Sequence, residues 1–181
     1  MARIIRNSRV ENDAWTLLPK IDAAADAVQT PPAEAASPAG PLLLPLDVWL
    51  AQREQLLARG EALGVWLDAA DDPAAIAADL DHLALVAVNF PKFTDGRGYS
   101  IARTLRDRYA YQGELRAIGD VLHDQLYLLH RCGFDAFALR ADKDAEHALA
   151  GLTAFSDSYQ GAVEQPLPLF RRRPAQPGEA V

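Results

Sequence analysis

The stretch "LALVAVNFPKFTDGRGYS", residues 83–100, decides the fold class. Its first part, Leu83–Phe90, is an almost continuous apolar run, which is typical of a strand covered on both faces in a parallel sheet. A polar loop follows, and the pattern of a helix begins at about Tyr99 or Ser100. A buried strand that leads through a short loop into a helix is the repeating unit of α/β proteins.

The same unit recurs along the chain. The connections are short, which implies parallel strands joined by right-handed crossovers. Five units predict an α/β fold that is either a curved half of a TIM-like barrel or an open doubly wound sheet, because a full barrel takes about 250 residues. We favour the half-barrel. The other strand candidates are "LLLPL" at 42–46, "LGVWLD" at 63–68, "ELRAIGD" at 114–120 and "DAFALR" at 135–140, and the helix candidates span 48–59, 73–80, 99–110, 121–132 and 142–155.

Outside this series the sequence predicts smaller pieces. "RIIR" at 3–6 and "AWTLL" at 14–18 are candidate strands of a small N-terminal hairpin around a polar segment. Residues 27–41 contain four prolines and many small residues, which cannot build a core and indicate a flexible linker. The predicted organisation is an N-terminal hairpin at 1–26, a Pro-rich linker at 27–41, an α/β domain at 42–160 and a C-terminal tail at 161–181.

The composition limits the functional classes. The chain has 181 residues and a formal net charge of −7, and this acidic balance argues against a protein that coats nucleic acid. No apolar run approaches the roughly 20 residues that cross a bilayer, and the first residues lack the apolar segment of a secretory signal. Cys132 is the only cysteine, which rules out an intramolecular disulfide. We therefore expect a cytoplasmic protein that contacts neither nucleic acid nor membrane.

A candidate anion site lies in the loop that joins Phe90 to the next helix. Ligands in both candidate folds bind at the carboxyl ends of the strands. Two glycines in this loop favour left-handed backbone, whose N–H groups converge beside a helix N-terminus, and the arginine between them adds a fork for an oxyanion. The predicted anion-binding residues are Lys92, Gly96, Arg97, Gly98, Tyr99 and Ser100. The alternative is a tight turn in which Asp95 and Ser100 cap the helix and Arg97 lies in solvent.

Arg116 breaks the pattern of its strand. A parallel strand buried on both sides is not expected to hold an arginine, and such rule-breaking often marks a functional position. Glu114, Arg116 and Ile118 share one face, so we expect Arg116 to pair with Glu114 or a neighbouring aspartate. The alternative places Arg116 at an exposed rim. The residues predicted to line an inner cavity or a partner interface are Arg116, Asp120 and Gln125.

The candidate catalytic residues are Asp95, His123 and Asp124, which are predicted to move protons. Asp120 is expected to cap the helix that follows it. His123 and His130 are two turns apart and cannot share one ion, and no metal site is predicted. No cofactor is predicted either, because the sequence has no cysteine cluster for an iron–sulfur centre and no dinucleotide fingerprint.

The run "FPKFTDGRGYSIARTLRDRYAYQGELRAIGDVLHDQLYLLHRCGFDAFAL", residues 90–139, closely resembles the bacterial domain of unknown function 934 family. "LGVWLDAADDP" at 63–73 and "FSDSYQ" at 155–160 also fit, so the resemblance covers about Leu42 to Gln160. Members of this family are usually encoded beside assimilatory sulfite reductase, which implies a cytoplasmic part in reducing sulfite to sulfide. The resemblance identifies no substrate, cofactor or catalytic residue.

The expected function is therefore an accessory protein of assimilatory sulfite reduction. It would bind a small oxyanion such as sulfite, or dock on sulfite reductase. One alternative is a small α/β-barrel-like enzyme acting on a small anionic metabolite, which Lys92 and Arg97 would hold. The other is a non-catalytic assembly protein, since a half-barrel exposes an apolar inner face and edge strands that the reductase, or a second copy in a homodimer, could cover.

Overall fold

The computed structural model describes residues 3–20 and 40–172. Within these ranges eight strands form one sheet. They are β1 (Arg3–Arg6), β2 (Arg9–Asn12), β3 (Thr16–Leu17), β4 (Leu42–Pro45), β5 (Leu63–Leu67), β6 (Leu85–Phe90), β7 (Glu114–Gly119) and β8 (Ala136–Phe137). Most of the predicted linker at 27–41, and the end of the predicted tail at 161–181, lie outside the described residues.

The sheet has the order β2-β1-β8-β7-β6-β5-β4-β3. The strands from β3 to β8 pair in parallel, whereas β1 pairs antiparallel with β2 and with β8. A helical segment follows each strand from β4 to β8, and the sheet curls into a half-barrel with the hairpin of β1 and β2 at one end of the strand order. The predicted α/β half-barrel with a small N-terminal hairpin is confirmed.

The hairpin uses a different second strand from the predicted one. Asn7 and Ser8 have φ of 48° and 59°, and they form a tight turn that pairs Arg6 with Arg9. Turns with two central residues at positive φ match the twist of antiparallel strands, and asparagine tolerates this backbone. The predicted strand at 14–18 is present as β3 (Thr16–Leu17). Its assignment to the hairpin is wrong, because β3 pairs in parallel with β4 at the opposite end of the sheet.

The helical segments are short, and several depart from α-helical geometry. The α-helices are α1 (Leu46–Leu57), α2 (Arg97–Arg103), α3 (Leu126–Arg131), α4 (Ala145–Ala148) and α5 (Leu169–Arg172), with 3-10 helices at Pro73–His82, His123–Gln125 and Leu149–Thr153 and a π-helical turn at Thr104–Arg108. Within residues 3–20 and 40–172, no helix combines the length and the apolarity needed to span a bilayer.

The outer face of the sheet, on which the helices pack, holds the main core. Alternation along the strands places Val65, Val86 and Leu115 on this face, and all three are fully buried. Trp49 of α1 and Ile76 of the 3-10 helix after β5 belong to the same cluster. Burying one such side chain contributes about 1.5–3 kcal/mol, so this face is the main source of stability.

The inner face carries a second, smaller apolar cluster. Its members are Leu43, Trp66, Leu85, Ala87 and Ile118. Trp15 and Ala138 are partly buried against it, so the N-terminal segment covers part of the concave side. Both faces of the central strands are therefore covered, as their sequence predicts.

Arg116 also lies on the inner face, where it is 1% exposed. Its Nε donates to Glu114 Oε1 at 2.8 Å, and its Nη1 donates to both carboxylate oxygens of Asp13 at 3.0 Å. Arg6 Nη1 donates to the other oxygen of Glu114 at 3.1 Å. The expected pairing with Glu114 and an aspartate is confirmed. The alternative of an exposed rim is wrong, because the segment that contains Asp13 crosses this part of the sheet.

Candidate functional site

Polar residues at or just after the carboxyl ends of the strands form two hydrogen-bonded pairs along this edge of the sheet. Asn89 Nδ2 donates to Asp68 Oδ1 at 3.2 Å, which joins the ends of β5 and β6. Arg140 Nη1 donates to Asp120 Oδ1 at 3.0 Å, which joins the ends of β7 and β8. Asp142 and Asp120 together raise the pKa of Arg140, since both carboxylates accept its hydrogen bonds. Asp120 is thereby fixed at the edge.

Residues 91–96, between β6 and α2, form the Phe93 loop. The main-chain N–H of Phe93 donates to Asp120 Oδ2 at 2.9 Å, and its carbonyl accepts from Gln125 Nε2 at 3.0 Å. Gln125 is itself fixed, because its Oε1 accepts the N–H of Leu122 at 2.9 Å. The Phe93 side chain is nevertheless 52% exposed. The main chain of Phe93 is therefore fixed by hydrogen bonds to both its N–H and its carbonyl, while its aromatic ring is half exposed to solvent.

Asp120 and Gln125, which were predicted to line a cavity or an interface, are thus the residues that hold this loop. The predicted helix cap by Asp120 is wrong, because the next helical turn begins at His123 and has Leu122 at its N-cap position. The carboxylate is occupied by Phe93 and Arg140 instead.

Arg97 is engaged by Asp95 at the start of α2. Its Nη2 donates to Asp95 Oδ2 at 2.6 Å and its Nε to Asp95 Oδ1 at 3.0 Å, and its main-chain N–H donates to the same Oδ1 at 3.1 Å. The Arg97 hydrogen bonds hold the pKa of Asp95 at about 2, and the carboxylate raises the pKa of Arg97. As in the predicted tight turn, Asp95 accepts an N–H of the first helical turn, but the N-cap position is Gly96. The Arg97 side chain is mostly exposed and is paired with Asp95. Ser100 does not cap the helix, because α2 begins earlier, at Arg97.

The two glycines of the predicted anion site do not have the expected backbone. Gly96 has φ of −82°, and neither Gly96 nor Gly98 is among the described glycines with positive φ. The predicted left-handed backbone is wrong. A Cβ at Gly98 would lie 2.6 Å from Phe90 Cζ, so glycine is needed there for the close approach of α2 to β6. Lys92 is exposed, and an anion-binding role for these residues stays a prediction.

Tyr99 of α2 contacts Phe90 and Gln125, the residues on either side of the Phe93 loop's attachment. Its ring packs edge-on against Phe90, with centroids 5.3 Å apart. Its hydroxyl oxygen lies 3.4 Å from Gln125 Nε2, and burial raises the pKa of Tyr99. The structure therefore gathers Asp95, Arg97, Tyr99, Asp120 and Gln125 around one loop.

The remaining catalytic candidates are not part of this arrangement. His123 and Asp124 are exposed, and the His123 ring faces His147 with centroids 6.1 Å apart. In the described part of the chain, no group of three or more His, Cys, Asp or Glu side chains is placed to hold a metal ion. Cys132 is partly buried at the end of α3, and this burial raises the pKa of its thiol, in keeping with a packing role. Proton transfer by Asp95, His123 or Asp124 stays a prediction.

Two clefts were not predicted from the sequence. One, of about 320 Å³, lies at the carboxyl edge of the inner face and is lined by Leu17, Leu18, Pro19, Lys20, Trp66, Asn89 and Ile118. Alternation along "LGVWLD" could have placed Trp66 on the inner face, but the position of residues 17–20 depends on tertiary pairing. The other, of about 650 Å³, lies at the amino ends of the strands beside Arg106 and Asp135.

The cleft at the amino ends is a structural feature. Arg106 donates to the carbonyls of Gly133, Tyr111 and Gly113, and its Nη2 lies 2.8 Å from Asp135 Oδ2. All of its nitrogens are thus used in joining segments of the fold. In α/β folds the amino ends of the strands usually serve stability rather than ligand binding.

Comparison with known proteins places the chain in a family. Residues 64–170 match a family model described as a bacterial protein of unknown function, DUF934. The match begins within β5 and extends into α5, so it starts later and ends later than the span of about Leu42 to Gln160 predicted from the resemblance. No curated protein matches the chain. Since the family model covers more than half of the sequence, including β6, the Phe93 loop and α2, the chain belongs to the DUF934 family.

Proposed function

We propose that this protein is a cytoplasmic accessory protein of assimilatory sulfite reduction and that it docks on sulfite reductase through the Phe93 loop. The pathway comes from the genomic setting that the family resemblance implies. The mode of action rests on one observation, which is the exposed Phe93 ring on a main chain bonded by Asp120 and Gln125.

A pre-ordered aromatic side chain is suited to protein docking. Aromatic residues are enriched in protein–protein interfaces, and ordering a loop on association reduces affinity. The two hydrogen bonds to the main chain of Phe93 avoid most of that cost. Lys92, which precedes Phe93 in the chain and is exposed, would lie in the polar rim that surrounds such an anchor.

Docking is better supported than binding of sulfite at Arg97. A free guanidinium would offer two donors to an oxyanion, but the Arg97 fork is already occupied by Asp95 at 2.6 and 3.0 Å. An oxyanion would have to displace that carboxylate, whose pKa of about 2 keeps it ionised at neutral pH. The alternative of a small enzyme gains no support, because no hydrogen bond or ion pair in the described ranges joins Asp95 to His123 or Asp124, and Asp95 is paired with Arg97.

Growth of a deletion strain on sulfate, sulfite or sulfide as sole sulfur source tests this function. We expect growth on sulfide only. The wild-type gene and Leu50→Ser should restore growth on sulfite, whereas Phe93→Ser should not, at equal protein levels. Leu50 is a matched control because its side chain is 53% exposed and lies on α1. Normal growth of the deletion strain on sulfite, or full complementation by Phe93→Ser, would contradict the proposal.

A further inference from the structure

The inner-face cleft lies where ligands bind in α/β proteins. Trp66, Asn89 and Ile118 line it from the carboxyl ends of β5, β6 and β7, and residues 17–20 form the opposite wall. Its volume of about 320 Å³ is at the lower end of the range of roughly 300–1,000 Å³ for small-molecule sites. The cleft is thus large enough for a small organic molecule and too small for a helix of a partner protein.

The two walls of this cleft are fastened to each other. The main-chain N–H of Leu18 donates to the carbonyl of Leu43 at 2.9 Å, and Trp66 Nε1 donates to the carbonyl of Leu18 at 3.0 Å. The indole N–H is therefore used within the protein, and the part of Trp66 that remains in the cleft is apolar ring. Leu17, which is 52% exposed, adds apolar surface at the mouth. A ligand would meet a preformed apolar slot.

The ammonium group of Lys20 lies at the mouth of this slot. Lys20 Nζ lies 5.9 Å from the centroid of the Trp66 ring and 3.7 Å from Asp68 Oδ2. The distance to Asp68 exceeds that of a hydrogen bond, so the ion pair is loose. The other oxygen, Asp68 Oδ1, accepts from Asn89 Nδ2 at 3.2 Å and from the N–H of Ala69 at 2.9 Å. A bound anion can therefore form an ion pair with the Lys20 ammonium group without breaking a hydrogen bond of the protein.

We propose that this cleft binds a small aromatic anion, with its ring between Leu17 and the edge of Trp66 and its carboxylate or sulfonate paired with Lys20. The apolar slot selects a flat hydrophobic body, and the loosely paired ammonium at the mouth selects a negative group. None of residues 91–96 line this cleft, and the proposal does not depend on docking to the reductase.

The test is a titration of the full-length, ¹⁵N-labelled protein with p-toluenesulfonate, benzoate and the neutral analogue benzyl alcohol. The indole N–H signals of the three tryptophans report the location. We expect a saturable shift of the Trp66 signal with both anions and a much weaker response to benzyl alcohol. The Trp49 signal should stay in place, because this residue is fully buried and its N–H is bonded to Asp79 at 3.0 Å.

Two variants make the test specific. Lys20→Met keeps most of the side-chain length and removes the charge, so it should raise the Kd for both anions roughly tenfold or more, as expected for loss of a hydrogen bond to a charged group. Leu17→Glu should weaken binding further by placing a negative charge at the mouth. Lys143→Met, at an exposed lysine elsewhere, is the control and should bind as the wild type does.

Three results would overturn the proposal. They are the absence of a saturable Trp66 shift in the full chain, equal affinity of Lys20→Met and the wild type, and equal shifts of all the indole signals. Because the reductase is absent from this titration, its failure would leave the docking proposal unaffected.

Discussion

The two faces of the curled sheet bury different kinds of side chain. On the outer face the strands place apolar residues such as Val65 and Val86 beneath the helices. On the inner face they bury Arg116, which is bonded to Glu114 and Asp13. Apolar burial has no preferred direction and tolerates exchanges of similar volume. A buried charge is tolerated only when specific partners are in place, so the inner face depends on the path of the N-terminal segment.

The largest effect is expected on the inner face. Arg116→Met should lower the free energy of unfolding by about 3–5 kcal/mol, because it leaves the largely buried Asp13 carboxylate without its cation and leaves Glu114 with Arg6 alone. Urea unfolding measures this change. Arg103→Met is the control, since Arg103 forms an exposed pair with Asp107 on the helix surface and such pairs contribute about 0–1 kcal/mol. Equal losses of unfolding free energy in Arg116→Met and Arg103→Met would contradict the claim that the inner face depends on the buried Arg116 ion pairs.

The next effect concerns packing on the outer face beside the Phe93 loop. Gly98→Ala should destabilise the protein by about 1–3 kcal/mol, as overpacking does, because its Cβ would lie 2.6 Å from Phe90 Cζ. Gly96→Ala should be neutral or slightly stabilising, since nothing lies within 4 Å of a Cβ there and φ is negative. Thermal unfolding of both variants checks this pair. A neutral Gly98→Ala would show that the helix can move away from β6.

A smaller, pH-dependent effect is expected at the one buried carboxylate of the outer layer among the described residues. Arg53, followed by the Trp49 N–H, lowers the pKa of Asp79. A lowered folded-state pKa means that this stabilisation is present above the unfolded value of about 4 and is lost as the pH falls through the folded value. The stability difference between the wild type and Asp79→Asn should therefore shrink in acid. A difference that stays constant from pH 6 to pH 3 would contradict this assignment.

Features of the fold that are set by a segment's own sequence could be predicted, whereas features set by pairing with a distant segment could not. The run Leu83–Phe90 predicted a strand covered on both faces, because such a strand needs apolar residues at nearly every position and this run has them. The pairing of Arg116 with Glu114 followed from strand alternation. The position of β3 could not be predicted, because Thr16 and Leu17 are held by main-chain pairing with β4, which leaves no mark in their own sequence.

The candidate site shows the same limit. The sequence located the Phe93 loop at the carboxyl edge of the sheet, but it misread the glycines, because a Gly-x-Gly pair serves either positive φ or close packing. At Gly98 the reason is close packing, because a Cβ there would clash with the Phe90 ring. The inner-face cleft was missed because its second wall, residues 17–20, reaches Trp66 only in the folded chain.

Phe93→Ser is expected to have the smallest effect on stability and the largest effect on docking. Phe93→Ser should change the free energy of unfolding by less than about 0.5 kcal/mol, since the ring is half exposed and its main-chain bonds do not involve the side chain. Urea unfolding of this variant checks the claim. A loss above about 2 kcal/mol would mean that Phe93 serves the fold instead of a partner.

The most direct test of the account is the affinity of the purified protein for purified sulfite reductase, measured by calorimetry for the wild type, Phe93→Ser and Leu50→Ser. We expect the wild type and Leu50→Ser to bind equally, and Phe93→Ser to lose about 2 kcal/mol or more of binding free energy, as a central anchor does. Absence of a complex with the wild type, or equal affinity of Phe93→Ser, would contradict docking through the Phe93 loop.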